Sequence, residues 1–229
     1  MPISNDELRR ALSPTRLQSY RQDHFEKDDS VLQRYVWNVA LSTTLLPTIH
    51  VLEVGLRNAV HHAATSAFGS DMWFDNVSQL NVSGSRKDAR SVGAARRVLR
   101  HRKRPETADD IVAELTFGYW VHLFRADLEI PFVRRVISDV IPYAPSTSRQ
   151  RKVLSGPLQQ FLHIRNRIGH HEPIWHWRTL QADHAKLLKV IGWISPKLHD
   201  YAATFDKFPG VYATRGARYL PDIGRILSK

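Results

Sequence analysis

The segment from Thr107 to Phe124 restricts the fold more than any other part of the chain. It carries Ile111, Val112, Leu115, Phe117, Tyr119, Trp120, Val121 and Phe124, which on a helix cover nearly the whole circumference rather than one stripe. A helix that is apolar all round has to be enclosed by others, so this one belongs in the middle of the fold. Thr107 stands where it can cap the start. Glu114, Gly118 and His122 recur at i, i+4 and i+8, which reads most simply as a paired carboxylate and a histidine near the helix end.

The rest of the chain supplies the enclosing elements. Ser13-Pro14 sets a capping hydroxyl before a proline at the first helical position, so a helix is expected from Pro14 to about Glu26. A second starts near Ser30 and carries Val31, Tyr35, Val39 and Ser42 at helical spacing. Pro47 should kink or split it, with a further helix from about Thr48 to Phe68. Gly69-Ser70-Asp71 reads as a stop, followed by a loop holding Met72, Trp73 and Phe74, and Asn76 to Ser85 reads as a polar loop. Pro131 to Val140 is expected to be helical and Pro142 to Pro145 a turn. A long segment from Ser146 then runs through Pro157. Thr179 to about Ala203 is amphipathic with a bend at Pro196, and the final 25 residues, 205–229, form an irregular extension ending in a short helix. Neither strand alternation nor a repeat emerges. The expected fold is therefore all-α, a helical bundle with additional flanking helices. With 229 residues, 42% of them hydrophobic, and no Gly/Ser- or Pro-rich linker, a single domain over 1–229 is expected.

Charge then narrows the partner. The net charge of +11 favours an anionic ligand, and it is concentrated: Ser85 to Arg104 holds nine Lys/Arg against one Asp. On a helix Arg86, Arg90, Arg97, Arg100 and Arg104 share one face, with Val92, Ala95, Val98 and Leu99 opposite. Such an arginine ridge suits a phosphate backbone, giving affinity without sequence choice, although a solvated surface helix has the same pattern. The absence of cysteine excludes disulfides, thiolate metal sites and cysteine nucleophiles. The polar start of the chain and the lack of 18 consecutive apolar residues lead to the expectation of a soluble cytoplasmic protein with no membrane partner. The glycosylation sequon Asn81-Val82-Ser83 carries little weight in that setting.

The chemistry-bearing residues crowd into Arg165-Asn166-Arg167-Ile168-Gly169-His170-His171-Glu172-Pro173. Leu162, Ile164 and Ile168 beside them suggest burial that would hold them still. Asn166 and His170 are i, i+4, as are Arg167 and His171. Arg165 and His170 lie about 140° apart on a regular helix, so they meet only if the last turn loosens or if a partner completes the groove. Pro173 forces the helix to end, and the carbonyl end of a helix favours positive charge. An imidazole that exchanges protons near neutral pH beside a permanent guanidinium suits a phosphodiester. In RNA the 2′-hydroxyl is an internal nucleophile, so neither a metal nor a cofactor is implied. His171-Glu172 followed by His176 lacks the spacing of a zinc-protease helix. A site built from His163, His170 and His171 is the weaker alternative. An upstream copy, Arg57-Asn58 with His61 and His62, adds Glu53 at i−4 from Arg57. It reads either as a second catalytic set or as a polar ladder in which Glu53 neutralises Arg57. His24, His50, His101, His184 and His199 are isolated and read as surface or packing residues.

Five segments, Leu12-Ser13-Pro14-Thr15-Arg16-Leu17, Tyr35-Val36-Trp37-Asn38, Leu52-Glu53-Val54-Gly55-Leu56-Arg57-Asn58, Ala113-Glu114-Leu115-Thr116-Phe117-Gly118-Tyr119-Trp120 and Arg165 to Pro173, resemble the Abi-like family (abortive infection, AbiD/AbiF type) over about residues 12–196. That family is similar to the HEPN superfamily. The resemblance implies a dimerising helical bundle acting as a metal-independent endoribonuclease in phage defence or as a toxin. It assigns catalysis to Arg165, Asn166 and His170, with His171 as a near substitute and Glu172 in support. The upstream copy also fits the loose pattern, which leaves open which of the two is catalytic. RNA, a second copy of the chain, and a regulatory RNA or protein antitoxin are the implied partners. A non-catalytic RNA-binding module and a helical protein-interaction partner are the alternatives.

Overall fold

The computed structural model describes residues 5–23, 27–79 and 84–227. Its centre is α3, Asp28–Phe68, a single helix of 41 residues. It is preceded by α1 (Asn5–Leu12) and α2 (Pro14–Gln18) and followed by α4 (Trp73–Gln79) and α5 (Ser85–His101). Then come α6 (Ala108–Glu114), α7 (Phe117–His122), a π-turn at Glu129–Val133 running into α8 (Arg134–Val140), and α9 (Arg151–Gly169). The chain closes with α10 (Leu180–Ile194), α11 (Pro196–Ala203), α12 (Phe208–Ala213) and α13 (Leu220–Leu227). Among the described residues there is no strand, so the all-α expectation holds.

The apolar segment does lie at the centre: Phe117, Trp120, Leu123 and Phe124 are each at most 1% exposed. It is not one helix, however. Leu115 and Thr116 are extended, and the freed carbonyl of Leu115 accepts from Trp120 Nε1 at 3.4 Å. The break lets two short helices turn different apolar faces into one core. Thr107 caps the first as expected, its hydroxyl accepting from the Asp110 amide.

Other boundaries moved for physical reasons. Pro47 does not split α3, which runs through it as one element. It removes a bond to the carbonyl of Thr43, and both residues are exposed, so water can take that carbonyl. The expected loop around Trp73 is largely helix α4, because Trp73 and Phe74 are wholly buried and need a fixed backbone. The helix from Pro14 stops at Gln18, and Ser13 makes no side-chain cap. Its proposed end at Glu26, like the sequon and His24, lies outside the described residues. At Pro196 the bend is a full break, where the Ser195 hydroxyl accepts from the Leu198 amide and caps α11. Gly69 ends α3 in the left-handed conformation (φ 68°) that glycine adopts without penalty. The last residues are more helical than expected: α12 buries Phe208 and Val211 against α3.

Two apolar clusters result. The larger joins α3 to α4 through α12. The smaller gathers Leu17, Tyr20, Val31, Leu32 and Ile223, and Trp175 packs against both. By length and composition α3 would qualify to cross a membrane, and here Leu41, Leu45, Leu52, Leu56 and Val60 along it are at most 1% exposed within the protein.

Candidate functional site

Helix α9 ends in a complete hydrogen-bonded stop. The Glu172 amide donates to the Arg167 carbonyl at 2.8 Å and the His171 amide to the Ile168 carbonyl at 3.0 Å, the pair of bonds that closes a Schellman turn. His171 occupies its left-handed position at φ 56°. The usual apolar contact across such a turn is replaced by an ion pair between Arg167 and Glu172 at 3.1 Å. Arg167 also donates to the Pro173 carbonyl and lies over Trp177. Both residues are therefore committed to the turn, and Glu172 supports Arg167 rather than a histidine. From the far side the buried Asn38 of α3 accepts from the amides of Ile174 and Trp175 at 2.7 and 3.1 Å.

Within this frame Arg165, Asn166, His170 and His171 are all exposed. The expectation that they are buried beside Leu162, Ile164 and Ile168 fails, because on α9 the 161, 164 and 168 positions take the core and leave 165 and 166 outside. Arg165 and Asn166 line one cleft. His171 lines another, with Arg16, Tyr20 and Asn38, and His170 is the capping residue of α9 and belongs to neither. The 140° offset between Arg165 and His170 persists, since the helix stays regular through Gly169.

The Arg165 cleft has a volume of about 540 Å³ and is walled by α5, α7 and α9. Its floor is an ionic cluster that the sequence reading did not assemble. Asp88, the one acid in the basic stretch, is 0% exposed. It receives Arg125 Nη2 at 2.7 Å and has His122 Nε2 at 3.9 Å. Arg125 is further held by Asp127 at 2.8 Å. Gly84 makes this possible: a Cβ there would sit 2.2 Å from Arg125 Nε. Burial pushes the Asp88 carboxyl up, opposed by Arg125, and burial pushes the His122 imidazole down, helped by the Arg125 charge. Tyr119 is raised as well, chiefly by burial. Lys87 and Arg165 complete the cleft, and among the described residues neither has an acidic partner. His122 was the residue most easily set aside in sequence as packing. The available signal was Asp88, a lone carboxylate where every other charge is positive.

The upstream copy is built differently. Trp73 Nε1 donates to His61 Nδ1 at 3.0 Å, which places the imidazole proton on Nε2. His61 is buried, and that burial holds its pKa below the ordinary value. Arg57 donates to its neighbour Asn58 at 3.2 Å. Among the described residues Glu53 and Arg57 form no ion pair, so the expected ladder is absent. His62 is exposed.

The arginine ridge is shorter than its sequence suggests. The helix stops at His101, Lys103 turns the chain at φ 53°, and Arg104 lies beyond, paired with Asp110. Arg100 pairs with Glu106 at 3.4 Å. Arg86, Arg90 and Arg97 remain exposed and among the described residues have no acidic partner, while Val92, Ala95 and Leu99 are buried behind them and Val98 is not. His163 stacks on Trp177 at 5.2 Å, and among the described residues no three His, Asp or Glu side chains converge to hold a metal.

Fold and site thus define an all-α protein with an Arg-Asn pair in a cationic surface cleft beside a helix carrying free arginines. The chain belongs to the family described as Abi-like protein, whose model matches residues 8–176. That membership carries a role of the abortive-infection, phage-defence kind. No curated protein and no solved structure matches the chain significantly.

Proposed function

We propose that the protein is a metal-independent endoribonuclease of the abortive-infection type. The observation that carries this reading is the exposure of Arg165 and Asn166 in a cleft where, among the described residues, Arg165 and Lys87 form no ion pair with a carboxylate. A free guanidinium at that point can stabilise the charge of a phosphorane, Asn166 can orient the phosphate, and His170 exchanges the proton as general acid or base. The remaining arginines of α5 hold the RNA backbone. Because His170 lies outside the Arg165 cleft of its own chain, the active form is a homodimer, with Arg165 from one copy and His170 from the other. Such an enzyme acts on cytoplasmic RNA under restraint from a regulatory RNA or protein antitoxin. The same separation of Arg165 from His170 favours one second reading, an RNA-binding module without cleavage.

Incubation of the purified protein with a mixed RNA pool, with and without EDTA, separates the two. Cleavage that persists in EDTA and disappears in folded Arg165→Ala and His170→Ala variants is the expected result. Salt-dependent binding with intact RNA establishes the binder instead.

A further inference from the structure

Two buried atoms without hydrogen-bond partners face each other beneath the Arg165 cleft. They are Asp88 Oδ1 and His122 Nε2, 3.9 Å apart. A carboxylate oxygen facing a ring nitrogen, both out of solvent and neither bonded elsewhere, favours the tautomer with the proton on Nε2, towards Asp88. Nδ1 is then left with its lone pair. The ring retains 24% exposure although Nε2 has none, so its open edge is on the cleft side. Asp88 is itself immobilised by Arg125 from behind. A histidine oriented through one nitrogen by a buried carboxylate, with the other nitrogen free beside an unpaired arginine, is the arrangement a general base requires.

We infer that the cleft binds one RNA phosphodiester against Arg165 and that His122 takes the proton of the adjacent 2′-hydroxyl, with Asp88 as its positioning residue. This rests on the ribonuclease reading and adds the second proton carrier that reading lacks. His122 Nδ1 accepts the 2′-hydroxyl proton as O2′ bonds to phosphorus. The P–O5′ bond breaks, and O5′ leaves with a proton from His170 of the second copy. The products are a 2′,3′-cyclic phosphate and a 5′-hydroxyl, with no water consumed. The imidazole is held neutral by burial and by the positive charges of Arg125 and Lys87, against Asp88 and Asp127, and a base must start neutral.

The test uses the full-length protein with an RNA oligonucleotide and its uncleavable 2′-deoxy counterpart. His122→Ala is expected to lower the cleavage rate by about 100-fold or more while binding the deoxy counterpart as well as the parent. Asp88→Asn should lower the plateau rate and move the acid limb of the pH–rate profile to lower pH, because the larger of the two carboxylate charges that support the imidazolium, Asp88 ahead of Asp127, is gone. His122→Gln, which keeps a polar group against Asp88, serves if the alanine variant does not fold. Parental cleavage rates in either His122 variant overturn the inference and leave the ribonuclease reading standing. If the parent cleaves nothing, that reading fails, and titration with uridine 3′-phosphate decides the cleft separately by NMR. Ring signals of His122 that shift, and that do not shift in Arg165→Ala, uphold the phosphate site; signals that stay fixed overturn it.

Discussion

The chain contains Arg-Asn followed by histidine twice, and the fold sets the two copies in opposite surroundings. At 57–62 the motif sits within a 41-residue helix. His61 faces the core and holds Trp73, and Arg57 is engaged by Asn58. At 165–171 the motif occupies the last turn of α9, and Arg165 and Asn166 face solvent. Residue identity and spacing are nearly the same. What differs is position along the helix: a mid-helix histidine completes packing, whereas a terminal one is free for a partner.

The largest effect that would break this contrast is catalytic. Arg165→Ala should reduce RNA cleavage by about 100- to 1,000-fold, the usual cost of removing one donor to a developing oxyanion. Arg57→Ala should stay within a few-fold, and rates from the same assay would reverse the assignment if the order were inverted. Stability should show the opposite ranking. His61→Ala orphans the buried Trp73 N–H and should cost about 1–3 kcal/mol, against about 0.5 kcal/mol or less for the exposed His170→Ala. Urea midpoints measure both.

Acidification sharpens the same distinction. His61 and His184 both have folded pKa values below the ordinary one, each mainly through burial. Their stabilising contribution is therefore complete above about pH 6.5 and is lost as the pH falls through the lower folded values. Urea midpoints taken from pH 7.5 down to 5 should decline, and the decline should be shallower in His61→Gln. The smallest effect concerns His171, whose left-handed backbone is costly for any residue with a Cβ. His171→Gly should raise stability by a few tenths to about 1 kcal/mol and leave cleavage unchanged if the turn is its whole role.

Much of this was legible in sequence because local rules operated alone. The central position of Trp120 and Phe124 follows from an apolar circumference, and the end of α9 follows from Pro173. Thr107 caps as its spacing suggests. What was not legible depended on distant partners. Pro47 lies inside an unbroken helix because its orphaned carbonyl faces water, a fact of orientation and not of composition. Arg100 and Arg104 lose their freedom to Glu106 and Asp110, which arrive from the next segment. The Asp88–His122–Arg125 cluster joins α5 to residues that follow 34 or more positions later in the chain. The burial of Asp88 needs the Arg125 charge, and only the packed fold supplies it.

The bond from Asn38 to the turn at Ile174 has a consequence for timing. The two residues are 136 positions apart, and Trp37 beside Asn38 reaches 174 positions on, to the carbonyl of Val211. The carboxyl side of the α9 turn thus has no anchor on α3 until most of the chain has been synthesised. At about 5–20 residues per second, a nascent chain spends several seconds, and up to about half a minute, with its amino-terminal helices made and that turn unpinned. The turn that carries His170 and His171 is in this way among the last parts of the protein to be fixed, after the helices it packs against have been made.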